Sequence, residues 1–392
     1  MRTLFVCWAW PSHLYPMVPI AAAMRASGHD VLIGCPPSLV PVAVRTGLPS
    51  MAVGHDFDLG PVIQRLLLKA KPGASGPRRR DRNGTAPRTP LDSFSDTADA
   101  MADGLLEACR LWRPDVIVHD ATTYAATAVG RALGIPTVRH LWGIDYTYLQ
   151  REFEPVAFGP LYRRLGLDEV VVSGETPTLD PCPSGLQLPV DYRPVRLRHI
   201  PYNGSAVHDP GLLARSRRPR LCITWGTTSS RFGDDDPVLT MVLEAAADLA
   251  VDVVFATTGK EATPVALQPH WRTAVMQPLH LLLPYCDAVV SPGGSGTVMT
   301  GVMAGLPQVC LPLLPDQQVT ADRLVASGAG LRVTPRDATR ASVRDALEAV
   351  LTDARHADAA RGLREDARQQ PSPRDAARFL ERLAAGCAPE EA

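Results

Sequence analysis

The sequence predicts an α/β protein made of two tandem, doubly wound halves that face each other across a cleft. Three observations carry that expectation. Short apolar, strand-like runs alternate with helical patterns through residues 1–142, an irregular stretch then breaks the rhythm around 200–219, and a second alternating series begins at 221. Strand–helix–strand alternation implies parallel sheets covered by helices on both faces. A length of 392 residues also exceeds what one ordinary core accommodates.

Taken in order, "TLFVCW" (3–8) reads as the first strand and "PMVPIAAAMRASG" (16–28) as a helix ending at Gly28. "DVLIG" (30–34) and "DVIVH" (115–119) are strands, followed by a helix "ATTYAATAVGRALG" (121–134) and a strand "PTVRHLW" (136–142). Residues 71–92, "KPGASGPRRRDRNGTAPRTPLD", are rich in Gly, Pro and Arg and lack periodicity. A long irregular segment inside a domain points to function or disorder, and a mobile lid over a pocket is the expected use. The second series comprises "LCITWG" (221–226), "VDVVFATTG" (251–259), "RTAVM" (272–276), "DAVVSP" (287–292), "QVCLPLL" (308–314) and "GLRVTP" (330–335). At the end, "SPRDAARFLERLAAGC" (372–387) places Ala377, Phe379, Leu380, Leu383 and Ala384 at helical spacing. The expected divisions are therefore 1–212, 213–371 and a terminal helix within 372–392. Ligands are expected at the carboxyl ends of the strands, between the halves.

Composition excludes several partner classes. A formal net charge of −1 lacks the clustered cation excess that nucleic acid or an anionic membrane surface requires. No run approaches the ~18 apolar residues of a bilayer span, and "MRTLFVCWAWPSHLYP" is interrupted too early for a signal peptide. The eight cysteines form no C-x-x-C pair and several sit in strand-like runs, which reads as reduced, buried thiols in a cytoplasmic protein. "GDDDP" (233–237) has the carboxylates of a Mg²⁺ site, but aspartates ahead of "PVLTMVLEAA" fit a helix start. No metal is expected. Neither half shows an association stripe, which leaves a homodimer open.

The stretch "VVSPGGSGTVMTG" (289–301) joins a strand to a helix through a bare backbone. A helix start presents unpaired N–H donors and a partial positive charge, suited to phosphate. Glycines allow close approach of a ligand, and Ser295 and Thr297 add hydroxyls. The spacing is neither G-x-G-x-x-G nor a P-loop. A tight turn with glycines for packing alone is the competing reading.

"GGSGT" (293–297), "AGLPQ" (304–308), "LPDQ" (314–317) and "GAG" (328–330) together resemble the donor-site region of natural-product glycosyltransferases of the GT-B fold, which has two Rossmann-like domains. "SHLYP" and "PDVIVHD" fit the same family, so the resemblance reaches both halves. "DPCPSGLQ" (180–187) and "PYNGS" (201–205) resemble the subgroup that decorates polyketides, particularly the enediyne calicheamicin. The resemblance implies inverting, metal-independent transfer of a sugar from a dTDP-sugar to an acceptor hydroxyl, with no cofactor. It also implies that the last helix crosses back onto the first domain. By position it places Gly293, Gly294, Ser295, Gly296 and Thr297 around the diphosphate, with Gly226 and Thr227 as a second phosphate-side turn. Asp316 and Gln317 match a pair that hydrogen-bonds sugar hydroxyls, although Asp316 would also serve as a helix N-cap. Two positions depart from the family pattern. Pro292 stands where a histidine is usual, and Met276 of "MQP", ahead of Gln277, stands where a tryptophan stacks on the nucleobase. A proline brings neither charge nor N–H, and a thioether covers less of a ring.

His13 follows the first strand near a helix N-terminus, where a neutral imidazole able to accept a proton is favoured. Such a base would deprotonate the acceptor hydroxyl as it attacks the anomeric carbon. Asp120 ends "DVIVHD", and a carboxylate behind the imidazole fixes its tautomer. The family's His–Asp dyad matches these two residues. Asp120 is alternatively the cap of a helix starting at Ala121, and His119 should point to the opposite face. Trp10, Tyr15, Trp142 and Tyr146, with Tyr148, offer aromatic surface for a large apolar aglycone, while Trp8 is expected to be core. Two other activities stay open. One is a nucleotide-sugar epimerase; the other is a non-catalytic auxiliary partner of another glycosyltransferase, which Pro292 and Met276 favour.

Overall fold

The computed structural model describes residues 1–70, 90–212, 216–229, 236–259 and 267–387. Two sheets, each parallel throughout, organise it. The first contains β1 (Arg2–Val6), β2 (Asp30–Cys35), β3 (Ser50–Ala52), β4 (Val116–Asp120), β5 (Thr137–His140), β6 (Thr178–Asp180) and β7 (Val195–Arg196), in the order β3-β2-β1-β4-β5-β6-β7. The second contains β8 (Arg220–Thr224), β9 (Asp252–Thr257), β10 (Arg272–Val275), β11 (Ala288–Ser291), β12 (Gln308–Cys310) and β13 (Gly330–Arg332), in the order β10-β9-β8-β11-β12-β13. Because helices cover both faces, the central strands are apolar on both. Phe5 joins one core with Ile33 and Val118, while its neighbours Leu4 and Val6 join another with Ile117 and Met101.

Strand order reverses once in each sheet, between β1 and β4 and between β8 and β11. The connections that follow these strands diverge to opposite faces, which leaves a gap at the carboxyl ends. The gaps of the two sheets open onto one cleft.

Several elements differ from the sequence expectation in extent. The first strand stops at Val6, because the chain bends and Trp8 N–H turns to the Thr123 hydroxyl at 3.1 Å. The first helix begins at Pro11 instead of residue 16, as consecutive turns Pro11–Leu14, Tyr15–Met17 and Val18–Ala26 that start or nearly start with a proline. The strand expected over 308–314 pairs only through Gln308–Cys310, since Pro312 has no N–H for the ladder. The segment 71–89 lies outside the described residues, so the expected lid falls there; Pro90 already begins the helix Pro90–Trp112. The expected boundary at 212/213 adjoins residues 213–215, also outside the description.

The last helix, Pro373–Ala384, is started by a reciprocal cap between Ser372 and Asp375. Its Ala376, Ala377, Phe379 and Leu380 are buried in the first sheet's core beside Ile20 and Met24. No helix among the described residues is long and apolar enough to cross a membrane.

The first half also buries His119, His140 and His199, and burial pushes all three imidazoles down to about 4. In the unfolded chain they take protons near the ordinary value of about 6.5. Between these limits the unfolded state binds more protons, so stability is lost as pH falls. Buried Asp180, raised to about 6, and Glu154 and Asp316, also raised by burial, act in the opposite sense over the lower part of that range, where they offset only part of the loss. Scanning calorimetry should therefore show the melting temperature falling by about 5 °C or more between pH 7 and pH 5. A flat or rising profile would contradict the neutral, buried assignment of these histidines.

Candidate active site

β1 and β4 are neighbours, so the loops leaving them lie side by side. Pro11 starts the helical stretch after β1, which puts His13 in its first turn, and Asp120 closes β4. The His13 Nδ1 and Asp120 Oδ1 atoms are 2.7 Å apart. Asp120 is 1% exposed. Burial opposes its ionisation, but the charge and hydrogen bond of His13 and the hydroxyls of Thr123 and Thr122 outweigh it and hold the carboxyl below its ordinary value. Thr123 donates at 2.6 Å and Thr122 at 3.0 Å.

A carboxylate only accepts, so the shared proton sits on Nδ1; when the ring is neutral the lone pair is then on Nε2. The Trp8 indole N–H also approaches Nδ1, at 3.1 Å, but the nearer, charged carboxylate takes the Nδ1 proton. The Trp142 ring lies 4.2 Å from the imidazole, tilted by 31°, and Trp8 meets it edge-on at 5.2 Å. The helix after β4 starts at Tyr124, so Asp120 is not its cap. His119 points to the other side, bonded to the Asp120 carbonyl and to Thr127.

In the second half, β11 runs through Pro292 into the helix Ser295–Ala304, whose N-cap Gly294 supplies no side-chain bond. Its leading N–H groups therefore stay available. The glycines divide into two kinds. Gly293 has φ of +83° and a Cβ there would stand 3.4 Å from Cys310, so it is conformational and does not line the cleft. At Gly294 and Gly296 an added Cβ would meet nothing within 4 Å, so packing does not demand their bareness. The Ser295 hydroxyl is turned to Thr320 at 3.5 Å and to Gly143, where a Cβ would stand 3.0 Å from Ser295 Cβ. This contact brings the loop that carries Trp142 against the glycine turn.

One cleft of about 550 Å³ is lined from both halves. Of the expected site residues, His13, Trp10, Tyr15, Trp142, Tyr146, Gly226, Thr227, Met276, Gln277, Gly294, Ser295, Gly296, Thr297, Asp316 and Gln317 line it, as do Pro292 and Thr122. Asp120 sits behind His13. Trp8 is buried in the core as expected, and because the strand ends before it, it borders the cleft as well. Tyr148 instead packs against Tyr192 and the Arg151 guanidinium. Leu59, Ile63 and Phe94 extend the apolar wall, and no sequence signal separates such pocket residues from core. Thr122 and Thr123 escape the sequence reading too, although two hydroxyls directly after a strand-ending aspartate are a legible pattern for holding its carboxylate.

Met276 has φ of +51° and is 64% exposed at the cleft. The Gln277 amide donates to the Val207 carbonyl at 2.9 Å. Gln317 Oε1 accepts from the Leu313 and Leu314 N–H groups, so its carbonyl caps its own helix and only its amide nitrogen is left for a ligand. Asp316 lies in that helix's first turn, its cap being Leu314 rather than itself. Burial raises its carboxyl, with His13 across the cleft pulling it down. Asp236 caps the helix Pro237–Ala247 and accepts from the Trp225 indole; Asp234 and Asp235 lie outside the described residues. No cluster of three or more His, Cys, Asp or Glu able to hold a metal occurs among the described residues.

Gly293→Ala should lower stability in urea unfolding by about 1–2 kcal/mol, because an L-residue is forced into a left-handed conformation. Gly294→Ala, with ordinary angles and open space, should cost only the about 0.5–1 kcal/mol by which alanine is the poorer N-cap. Equal losses would refute this division of roles.

The sequence matches the profile of the erythromycin biosynthesis protein CIII-like N-terminal domain over residues 22–226, and that of the C-terminal domain over 240–383. It is 32% identical to a 10-deoxymethynolide desosaminyltransferase of Streptomyces venezuelae, covering 98% of this chain and 97% of that protein. Identity is 30% to a 3-alpha-mycarosylerythronolide B desosaminyl transferase of Saccharopolyspora erythraea, covering 98% and 99%. Among solved structures, a spinosyn rhamnosyltransferase superposes with a TM-score of 0.82 at 30% identity, covering 97% of this chain and 100% of that one. That enzyme has also been solved with thymidine diphosphate and with the spinosyn aglycone. The chain therefore belongs to the erythromycin biosynthesis protein CIII-like family of GT-B glycosyltransferases.

Proposed function

We propose that this enzyme transfers a deoxysugar, with inversion and without a metal or cofactor, from a dTDP-sugar to a hydroxyl of a polyketide-type aglycone, enediyne aglycones included. His13 is the general base and Asp120 its partner. The observation that carries the proposal is the 2.7 Å His13–Asp120 pair facing, across a single cleft, the uncapped glycine turn of the other half.

With Nδ1–H held by Asp120, Nε2 takes the acceptor's proton as its oxygen attacks the anomeric carbon. The bond from that carbon to the diphosphate oxygen breaks on the opposite side, which inverts the centre. Charge gathering on the departing diphosphate meets the N–H groups at Ser295 and Gly296, the Thr297 hydroxyl, and the Gly226–Thr227 turn. Met276 covers a face of the nucleobase, Asp316 accepts from sugar hydroxyls, and Gln317 contributes through its amide nitrogen. Trp8, Trp10, Tyr15, Trp142, Tyr146 and Phe94 supply surface for the apolar aglycone. The auxiliary-protein reading rests on Pro292 and Met276; the base pair and its two threonine supports, which a binding module has no need of, weigh against it.

Calorimetric titration with dTDP, without added metal, should give a micromolar Kd that Gly294→Val abolishes. Absence of binding to both dTDP and UDP would sink the donor site and favour the auxiliary reading. His13→Ala should retain dTDP affinity while turnover falls about 10²–10⁴-fold. Asp120→Asn should also retain it and lose rate through a misassigned tautomer. A His13→Ala protein with unimpaired turnover would remove His13 from the mechanism.

A further inference from the structure

We propose that Asn203 is a positioning residue for the transfer step: it clasps the connection between the halves to both nucleotide-facing segments of the second half, and so fixes the distance from His13 to the diphosphate turn. The proposal rests on reading Gly294–Thr297 as that turn.

Three consecutive residues of the irregular stretch between β7 and β8 carry it. Asn203 N–H donates to His280 Nδ1 at 3.3 Å, and the His280 backbone N–H donates back to Asn203 Oδ1 at 3.0 Å. His280 lies four residues after Met276, on the short helix that follows the base-covering segment. Burial lowers its imidazole, in keeping with a neutral ring that accepts at Nδ1. The Asn203 amide Nδ2–H donates to the Thr300 hydroxyl at 3.2 Å, and Thr300 donates in turn to the Gly296 carbonyl at 2.6 Å. One side chain thereby reaches the base side through His280 and the phosphate side through Thr300.

The flanking residues hold the other half. The Tyr202 ring meets Tyr15 edge-on at 5.4 Å, and a Cβ at Gly204 would stand 3.3 Å from the Tyr15 hydroxyl oxygen. Tyr15 is two residues beyond His13 and lines the same cleft. Asn203 itself borders the cleft, and shifting this strap moves the base relative to the leaving group while the amides of the glycine turn stay in place. Near-attack geometry tolerates little of that, since misplacement by about 1 Å can cost 10²-fold in rate.

The test compares wild type, Asn203→Ala, Asn203→Asp, Thr300→Val and the Asn203→Ala/Thr300→Val double variant. For Asn203→Ala, dTDP affinity by calorimetry should stay within about threefold, because the amides of the turn remain. In the ligand-free protein, amide hydrogen exchange should accelerate about tenfold or more in Tyr202–Gly204 and in Pro11–Met17. Release of dTDP from dTDP-glucose with water as acceptor should fall at least about tenfold in kcat with KM unchanged. Asn203→Asp, which keeps the His280 contact, should recover part of the rate, and the double variant should be no worse than the poorer single one. Unchanged exchange at Pro11–Met17 would overturn the proposal, as would a dTDP affinity that falls in step with the rate. A wild-type protein that fails to bind dTDP would refute the donor-site reading, while the exchange comparison would still decide the clasp.

Discussion

In a sheet whose strands all run the same way, every carboxyl end lies on one edge, and that edge opens to a ligand only where strand order reverses. Both sheets here reverse once. The turn after β1 and the last residue of β4 carry the imidazole and its carboxylate, and the residues that follow β8 and β11 carry the two glycine turns that line the cleft. Apart from their last residues, such as Asp120 and Thr224, the central strands spend their side chains on the cores of the two faces. The cleft-facing groups are confined to the last residues of a strand, the turn after it and the first turn of the next helix. A single-residue shift in where the strand or helix begins would re-aim the groups, which is why Pro11 and the bend at Trp8 matter as much as His13 itself.

The buried carboxylate is the costliest group in this arrangement. An unpaired charge at that depth costs several kcal/mol. Asp120 avoids the penalty because three side chains donate to it, and hydrogen bonds to a charged group contribute about 1.5–3 kcal/mol each. The supports also connect outward. Thr123 accepts from the Trp8 backbone N–H, so the same hydroxyl that steadies the carboxylate pins the bend after β1. Trp142 then closes over the imidazole, and Gly143 sets that loop against Ser295 of the other half. Support of the imidazole and closure of the cleft share one continuous set of contacts.

Much of this is legible in the residues, for reasons that differ by element. Alternating apolar runs and helical spacings report burial on both faces of a parallel sheet, so the two halves and most of their strands are readable from pattern alone. The glycine turn is readable because backbone freedom at a strand–helix junction has few uses. Strand ends are less so: nothing in "FVCWAW" says that pairing stops at Val6, since that depends on a hydroxyl more than a hundred residues away. Pattern places Trp8 in the core, where it is buried, but does not show that it also borders the cleft. Gln317 is expected to face a sugar, yet its carbonyl is spent on Leu313 and Leu314, a local choice that only three-dimensional geometry reveals. The apolar wall of Leu59, Ile63 and Phe94 carries no signal because a pocket lining and a core use the same side chains.

On the proposed function, Pro292 bears on how a dianionic leaving group is held with little fixed charge. Among the described residues that line the cleft, Arg45 is the single arginine or lysine, and it belongs to the first half. Neutral donors must then do most of the stabilising, and they do so in proportion to how well they are aimed before the reaction begins. A proline contributes to that aim: it fixes its own φ and narrows the angles of the residue ahead of it. Ser291, the residue ahead, accepts the Gly293 N–H on its hydroxyl at 3.1 Å, which ties the turn back to β11 before the chain enters the left-handed geometry of Gly293. The turn is therefore stiffened from both sides at the point where a histidine would have supplied a charge. On the proposed reading, rigidity of the amide turn stands in for a side-chain cation.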